Sequence, residues 1–223
     1  LDGGDTNIKV SKPMQFGNSV RAYFGGSNNS EIMHNGTDMS ISNFGGDLKI
    51  INYTDNKDII FQSDNGTGSV TTYFSLDGSL ADGTYFYTKW PDNSIIALGS
   101  SNDLVLWHDG SNSYIRQVGT GDLYIENTTD DKDIIFRCDD GGGSVETYFY
   151  LDGSASAGAP FTVFPDSSNL TIGTGFDLRL KHDGSHSYIQ QTGTGDLYIQ
   201  NTVNDKDIIF QSDNGSGGVE TYF

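Results

Sequence analysis

An all-β fold, elongated and repetitive in the manner of a β-solenoid or β-helix, is predicted by three observations. First, Lys57-Asp58-Ile59-Ile60-Phe61 returns as Lys132-Asp133-Ile134-Ile135-Phe136 and as Lys206-Asp207-Ile208-Ile209-Phe210, at spacings of 75 and 74 residues. A fixed period of this kind overrides the one or two domains that 223 residues would otherwise suggest. Second, apolar and polar residues alternate in short runs, and no stretch follows the 3.6-residue period of a helix. Third, corners rich in Gly, Asn and Asp interrupt the runs about every ten residues. A string of small β-sandwich-like repeats is the alternative organisation.

Three repeats follow, residues 1–75, 76–150 and 151–223. The first is the divergent copy: Phe24-Gly25-Gly26-Ser27 stands in for a His-Asp-Gly-Ser turn, and residues 34–43 read as an insertion before Gly46-Asp47-Leu48-Lys49-Ile50. In the second, strands are expected near residues 97, 105, 115, 124, 135 and 148, separated by corners such as Asp109-Gly110-Ser111-Asn112 and Gly119-Thr120-Gly121. Residues 103–149 align with residues 177–223 at a constant offset of 74. Val105 becomes Arg179 and Trp107 becomes Lys181, whereas Leu104 and Leu106 return as leucines. Because alternate residues of a strand point to opposite faces, the leucines are expected to face a core and Val105 and Trp107 to face outward.

By the same alternation Leu123 and Ile125 point inward, as do Ile134 and Phe136, with Ile208 and Phe210 their counterparts in the third repeat. Ile135 then points outward beside Arg137, as Ile60 and Ile209 do in the other copies, so a neighbouring sheet or another chain should cover it. About two or three core side chains per strand make a lone repeat marginal against the entropy of ordering its backbone. Stacking on neighbours or wrapping with other chains is the expected remedy.

The formal net charge of −18 and a pI near 4.2 disfavour nucleic acid and anionic membranes as partners. No run approaches the roughly 18 apolar residues of a membrane span, so membrane insertion is not expected. Leu1-Asp2-Gly3-Gly4 matches Leu76-Asp77-Gly78-Ser79 and Leu151-Asp152-Gly153-Ser154, which reads as a window of a longer array or a processed product. Cys138 is the one cysteine, so packing or assembly rather than a disulfide within the chain must supply stability.

His108-Asp109-Gly110-Ser111 and His182-Asp183-Gly184-Ser185 could suggest a base or a metal ligand, but their place between strands makes them corners. The loops Asp64-Asn65-Gly66-Thr67-Gly68, Asp139-Asp140-Gly141-Gly142-Gly143 and Asp213-Asn214-Gly215-Ser216-Gly217 resemble calcium loops in composition yet lack a calcium-binding spacing. No nucleophile elbow, phosphate loop or zinc-protease motif occurs, so no enzyme, no catalytic residue, no metal site and no cofactor is expected. Tyr23, Trp107, Tyr124, Tyr148 and Tyr198 fall on the polar face, where aromatic rings stabilise a sheet across its strands or contact a sugar. The sequons Asn35-Gly36-Thr37 and Asn127-Thr128-Thr129 are expected by chance in so Asn- and Thr-rich a chain.

Residues 177–185, 195–202 and 205–213, including Leu-Arg-Leu-Lys-His-Asp-Gly-Ser, Gly-Asp-Leu-Tyr-Ile-Gln-Asn-Thr and Lys-Asp-Ile-Ile-Phe-Gln-Ser-Asp, resemble repeats of fibre-like virion proteins of tailed phages of marine bacteria and cyanobacteria. The likeness covers repeats two and three well and repeat one partly. It implies an intertwined homotrimer at the virion surface, extracellular, that bears or presents a host-binding tip, and it brings no catalytic residues with it. The function expected is a structural shaft of a tail fibre or other extracellular fibre. The alternatives are a secreted adhesin array that binds host polysaccharide through its exposed aromatics and, further off, a polysaccharide-degrading spike.

Overall fold

The computed structural model describes residues 11–155 and 158–222. Leu1-Asp2-Gly3-Gly4 lies outside the described residues. Every element assigned among them is a β-strand or a turn, and every strand pair is antiparallel. The chain divides into two compact units, residues 1–122 and 123–223.

In the first unit β1 (Arg21–Phe24), β2 (Ser30–His34) and β3 (Met39–Asn43) form one meander. A second consists of β4 (Ile59–Asp64), β5 (Val70–Asp77) and β6 (Tyr87–Lys89), and a third of β7 (Ile96–Leu98), β8 (Leu104–His108) and β9 (Ser113–Gln117). In the second unit β10 (Ile134–Asp139), β11 (Val145–Asp152) and β12 (Phe161–Val163) repeat the β4–β6 pattern. There β13 (Asn169–Ile172), β14 (Leu178–His182) and β15 (Ser187–Gln191) repeat β7–β9, and β16 (Gln211–Asp213) pairs with β17 (Val219–Thr221) in a hairpin. Two kinds of small sheet therefore alternate along the chain, and the β4–β6 and β10–β12 sheets straddle the boundaries between repeats. The pairing within the chain is that of small β repeats, with no closed sheet and no stacked parallel coil of a β-helix among the described residues.

Local chemistry explains the corners. Asp109 Oδ1 accepts the N–H groups of Ser111 and Asn112 at 2.8 Å each, while Gly110 adopts a φ of 97° that an L-residue with a side chain rarely tolerates. Asp183 does the same for Ser185 and His186. In the first repeat this corner is His34-Asn35-Gly36-Thr37, where Asn35 Oδ1 accepts the N–H groups of Thr37 and Asp38 at 2.8 Å. Residues 34–43 are thus a regular turn and strand, not an insertion, and Phe24-Gly25-Gly26-Ser27 belongs to the β1–β2 connection. Asn for Asp and Thr for Ser preserve the hydrogen bonds while disguising the match.

Lys-Asp-Ile-Ile-Phe and Leu-Asp-Gly-Ser recur together because they hold each other. Asp58 accepts the Gly78 N–H at 2.9 Å, and Asp133 accepts that of Gly153 at 3.0 Å. A Cβ on Gly78 would lie 2.5 Å from the Lys57 carbonyl oxygen, and one on Gly153 would meet the Lys132 carbonyl in the same way. Only glycine admits that approach.

A conventional core is missing. Val105, 8% exposed, is the one buried hydrophobic residue among those described, and no side chain is completely covered. Two ring stacks do part of the packing instead. Phe61, Phe74 and Trp90 succeed one another at centroid distances of 4.4 and 5.3 Å across β4–β6, and Phe136, Phe149 and Phe164 do so at 4.5 and 5.7 Å across β10–β12.

Candidate assembly surface and aromatic face

The register of β7–β9 sorts its side chains onto two faces, because directly opposed residues of antiparallel strands share a face. Leu106 opposes Ile96 and Ile115, and Leu104 opposes Leu98 and Gln117, which gives a mostly aliphatic surface. In β13–β15 the equivalent face pairs Leu180 with Leu170 and Ile189, and Leu178 with Ile172 and Gln191. In β1–β3 it pairs Ile32 with Ala22 and Ile41. The residues are preserved in character at all three places yet stand open: Ile115 and Ile189 are each 63% exposed. Leu104 and Leu106, expected to face a core, lie on this half-covered face.

The opposite face changes with each copy. It carries Arg21, Tyr23, Glu31 and Met33 in the first, Val105, Trp107, Tyr114 and Arg116 in the second, and Arg179, Lys181, Tyr188 and Gln190 in the third. Val105 was expected outward and is instead the most covered apolar side chain. Its face is the one this chain itself shields, with Trp107 and Tyr114 stacked at 4.3 Å and the Arg116 guanidinium 4.7 Å from the Trp107 ring. Replacement by Arg179 in the third copy reports tolerance at that face, not exposure.

The other aromatic candidates are scattered. Tyr23, Tyr124, Tyr148 and Tyr198 are all exposed, the second and fourth by more than 70%. Tyr148 sits at the β-bulge opposite Phe136 and Arg137, where its hydroxyl donates to the Asp139 carbonyl at 3.0 Å. The structure brings none of these four to another ring among the described residues. Sequence reasoning passed over Tyr114 and Arg116, although their alternation with Trp107 across a two-strand corner was readable.

Leu123 and Ile125 belong to no strand. Residues 122–128 have the alternation of a strand but no ladder partner among the described residues, and Ile125 is 60% exposed. Residues 47–53 and 196–202 stand likewise outside any ladder. What the segment does have is a corner: the Asn127 amide donates to the Asp133 carbonyl at 3.0 Å and its oxygen accepts the Thr129 N–H, as Asn52 and Asn201 do in their copies. Ile134 is half-buried and Phe136 lies in its ring stack, while Ile60, Ile135 and Ile209 are 55%, 54% and 61% exposed. Ile208 and Phe210 are also exposed. No sheet among the described residues covers this isoleucine in any copy.

The polar motifs are occupied structurally. His108 Nδ1 lies 3.1 Å from Ser113 Oγ, away from Asp109, and His182 contacts Ser187 identically. The N–H of Asn112, the hydroxyl of Tyr114 and the N–H of Ser111 hold the Asp109 carboxyl down to about 2. Asp183 is lowered for the same reasons by His186, Ser185 and Tyr188, and both tyrosines are raised by their carboxylate acceptors. Since the folded carboxyl titrates below its unfolded value near 4, the corner's contribution is complete above about pH 4 and is lost as pH falls toward 2. Asp109→Asn, which mimics Asn35, should therefore flatten part of the decline in thermal midpoint between pH 5 and pH 2; an unchanged slope would exclude this corner as a source of acid sensitivity. Loop carboxylates are engaged too, with Asp64, Asp139 and Asp213 each accepting a glycine N–H. Among the described residues no group of three or more His, Cys, Asp and Glu could hold a metal ion, and no helix is long and apolar enough to cross a membrane.

Comparison with family models, with curated proteins and with solved structures finds no match to this chain.

Proposed function

We propose that the chain is a shaft segment of an extracellular fibre, such as a phage tail fibre at a virion surface, which assembles with copies of itself and spaces a host-binding tip. The observation that carries this reading is surface area. The chain exposes 18395 Å², whereas a folded monomer of 24.2 kDa exposes about 10,000 Å². The surplus exceeds what an obligate interface of roughly 2,000–5,000 Å² removes.

The partner must match the array. It has to offer apolar faces and free backbone at the same spacing of 74 or 75 residues, and another copy of this chain does so by construction. Three chains in register, the number implied by the phage-fibre resemblance, would bring the aliphatic faces together around an axis. Residues 47–53, 122–128 and 196–202 would then find their ladder partners on neighbouring chains, which completes an intertwined β-helix. The role is mechanical rather than catalytic, and the acidic corners keep the outside soluble. Sedimentation and light scattering should give three times the chain mass, with thin rods in electron micrographs. A compact species of single-chain mass would overturn the reading.

The stack of Trp107, Tyr114 and Arg116 favours a second reading, a secreted adhesin array in which the variable face meets polysaccharide. The two share one assembly and differ in whether the shaft itself binds.

A further inference from the structure

One cradle occurs in both compact units. In the first, the Ser94 hydroxyl donates to the Tyr73 carbonyl at 2.5 Å and ties the β4–β5 hairpin to the β7–β9 sheet. In the second, Ser168 donates to the Tyr148 carbonyl at 2.6 Å and ties β10–β11 to β13–β15. The frame is the same, but the lining differs. Ile95, Ala97 and Val105 of the first become Asn169, Thr171 and Arg179, and Thr71 becomes Glu146. A cavity of about 730 Å³ lies over these replacements.

Phe176 borders that cavity and is held at a cost. Its φ is 57°, in the left-handed region, where the equivalent residues Asn28 and Asn102 have φ values of 55° and 58°. Asn occupies this region readily, whereas a bulky aromatic does not. Every other non-glycine residue with positive φ among those described is Asn, Asp or Ser. The ring is 58% exposed, so burial does not offset the strain. The backbone here is held by bonds that do not depend on an aromatic side chain, from the Phe176 N–H to the Gly173 carbonyl at 3.0 Å and from Thr192 Oγ1 to the Phe176 carbonyl at 2.8 Å, so the choice of a strained, exposed ring points to function. Arg179 Nε donates to the Phe176 carbonyl at 3.2 Å, which fixes the loop and leaves the terminal nitrogens of the guanidinium without a hydrogen bond among the described residues.

We infer that this cavity is a saccharide-binding site. An exposed ring offers a surface for the C–H face of a pyranose, and Arg179 and Asn169 donate to its hydroxyls while Glu146 and Asp166 accept from them. Three carboxylates, those of Asp140, Glu146 and Asp166, against one guanidinium select a neutral or amino-bearing sugar over an acidic one. Arg179 and Thr171 lie on the face opposite Leu178 and Leu180, so covering the aliphatic face by other chains leaves the site open. The inference does not rest on the shaft reading.

Maltohexaose, a hexamer of N-acetylglucosamine, a hexamer of glucosamine and an oligogalacturonate can be titrated into the full chain, with binding followed by saturation-transfer NMR. A neutral or amino-bearing probe should bind in the millimolar range or tighter, ahead of the oligogalacturonate. Phe176→Asn should weaken it by about tenfold or more, as loss of a stacked ring does, with a thermal midpoint equal to or above that of the parent. Arg179→Val, which installs the residue of the other cradle, should weaken it as well, and Trp107→Ala should not. The inference is overturned if no neutral or amino probe binds, if the acidic probe binds best, if Phe176→Asn binds like the parent or if that variant melts lower.

Discussion

Leu106→Asp should dismantle the assembly. Leu106 stands at the centre of a mostly aliphatic face between Ile96 and Ile115 that the described residues leave half-covered. A carboxylate there would be buried without a partner on association, at a cost of several kcal/mol for each chain. Within the free chain the position is half-exposed, so the sheet itself tolerates the change. The expected result is a shift from oligomer to single-chain mass with retained β-sheet circular dichroism. Leu180→Asp should act likewise, whereas Trp107→Asp on the opposite face should leave the mass unchanged. If both leucine variants keep the parent mass, the aliphatic faces are not the interface.

Gly153→Ala should be the most damaging glycine-to-alanine change among the described residues. The new Cβ would meet the Lys132 carbonyl oxygen, a backbone atom that moves only if β10 moves with it. Relief by displacement breaks the hydrogen bond from the Gly153 N–H to Asp133. Together these cost about 2–4 kcal/mol, to be read as a fall in the thermal midpoint of the parent. Gly121→Ala offers the control, since its Cβ would meet nothing and only the φ of 107° opposes it. The steric reading requires Gly153→Ala to be the worse of the two, and equal effects would refute it.

How much of this was legible depends on how local the cause is. The Asp-Gly corners could be read because Asp109 bonds its own neighbours, and five of six expected strands in the second repeat lie where alternation puts them. Near residue 124 the alternation is equally good, but a ladder needs a partner that the described residues do not provide. The replacement of Val105 by Arg179 suggests exposure in the sequence, yet Val105 is only 8% exposed, because a substitution between copies reports tolerance and not solvent access. The corner at His34 was hidden by replacements that conserve hydrogen bonding rather than residue type. Phe176 left a trace, a departure from Asn28 and Asn102, but its meaning emerges only once its φ is known. The cavity beside it joins residues of two sheets, and no local pattern announces that.

The two faces of each three-stranded sheet also bear on how such an array can change over generations. Duplication copies the aliphatic face and the corners with it, so a new segment arrives already compatible with its neighbours. The variable face carries no such obligation, as the succession of Glu31, Val105 and Arg179 at one position illustrates. Recombination between copies could therefore exchange the variable face, and with it the proposed saccharide site, while leaving the length of the array and its proposed assembly intact; Phe176, in place of Asn28 and Asn102, marks the copy that has diverged there.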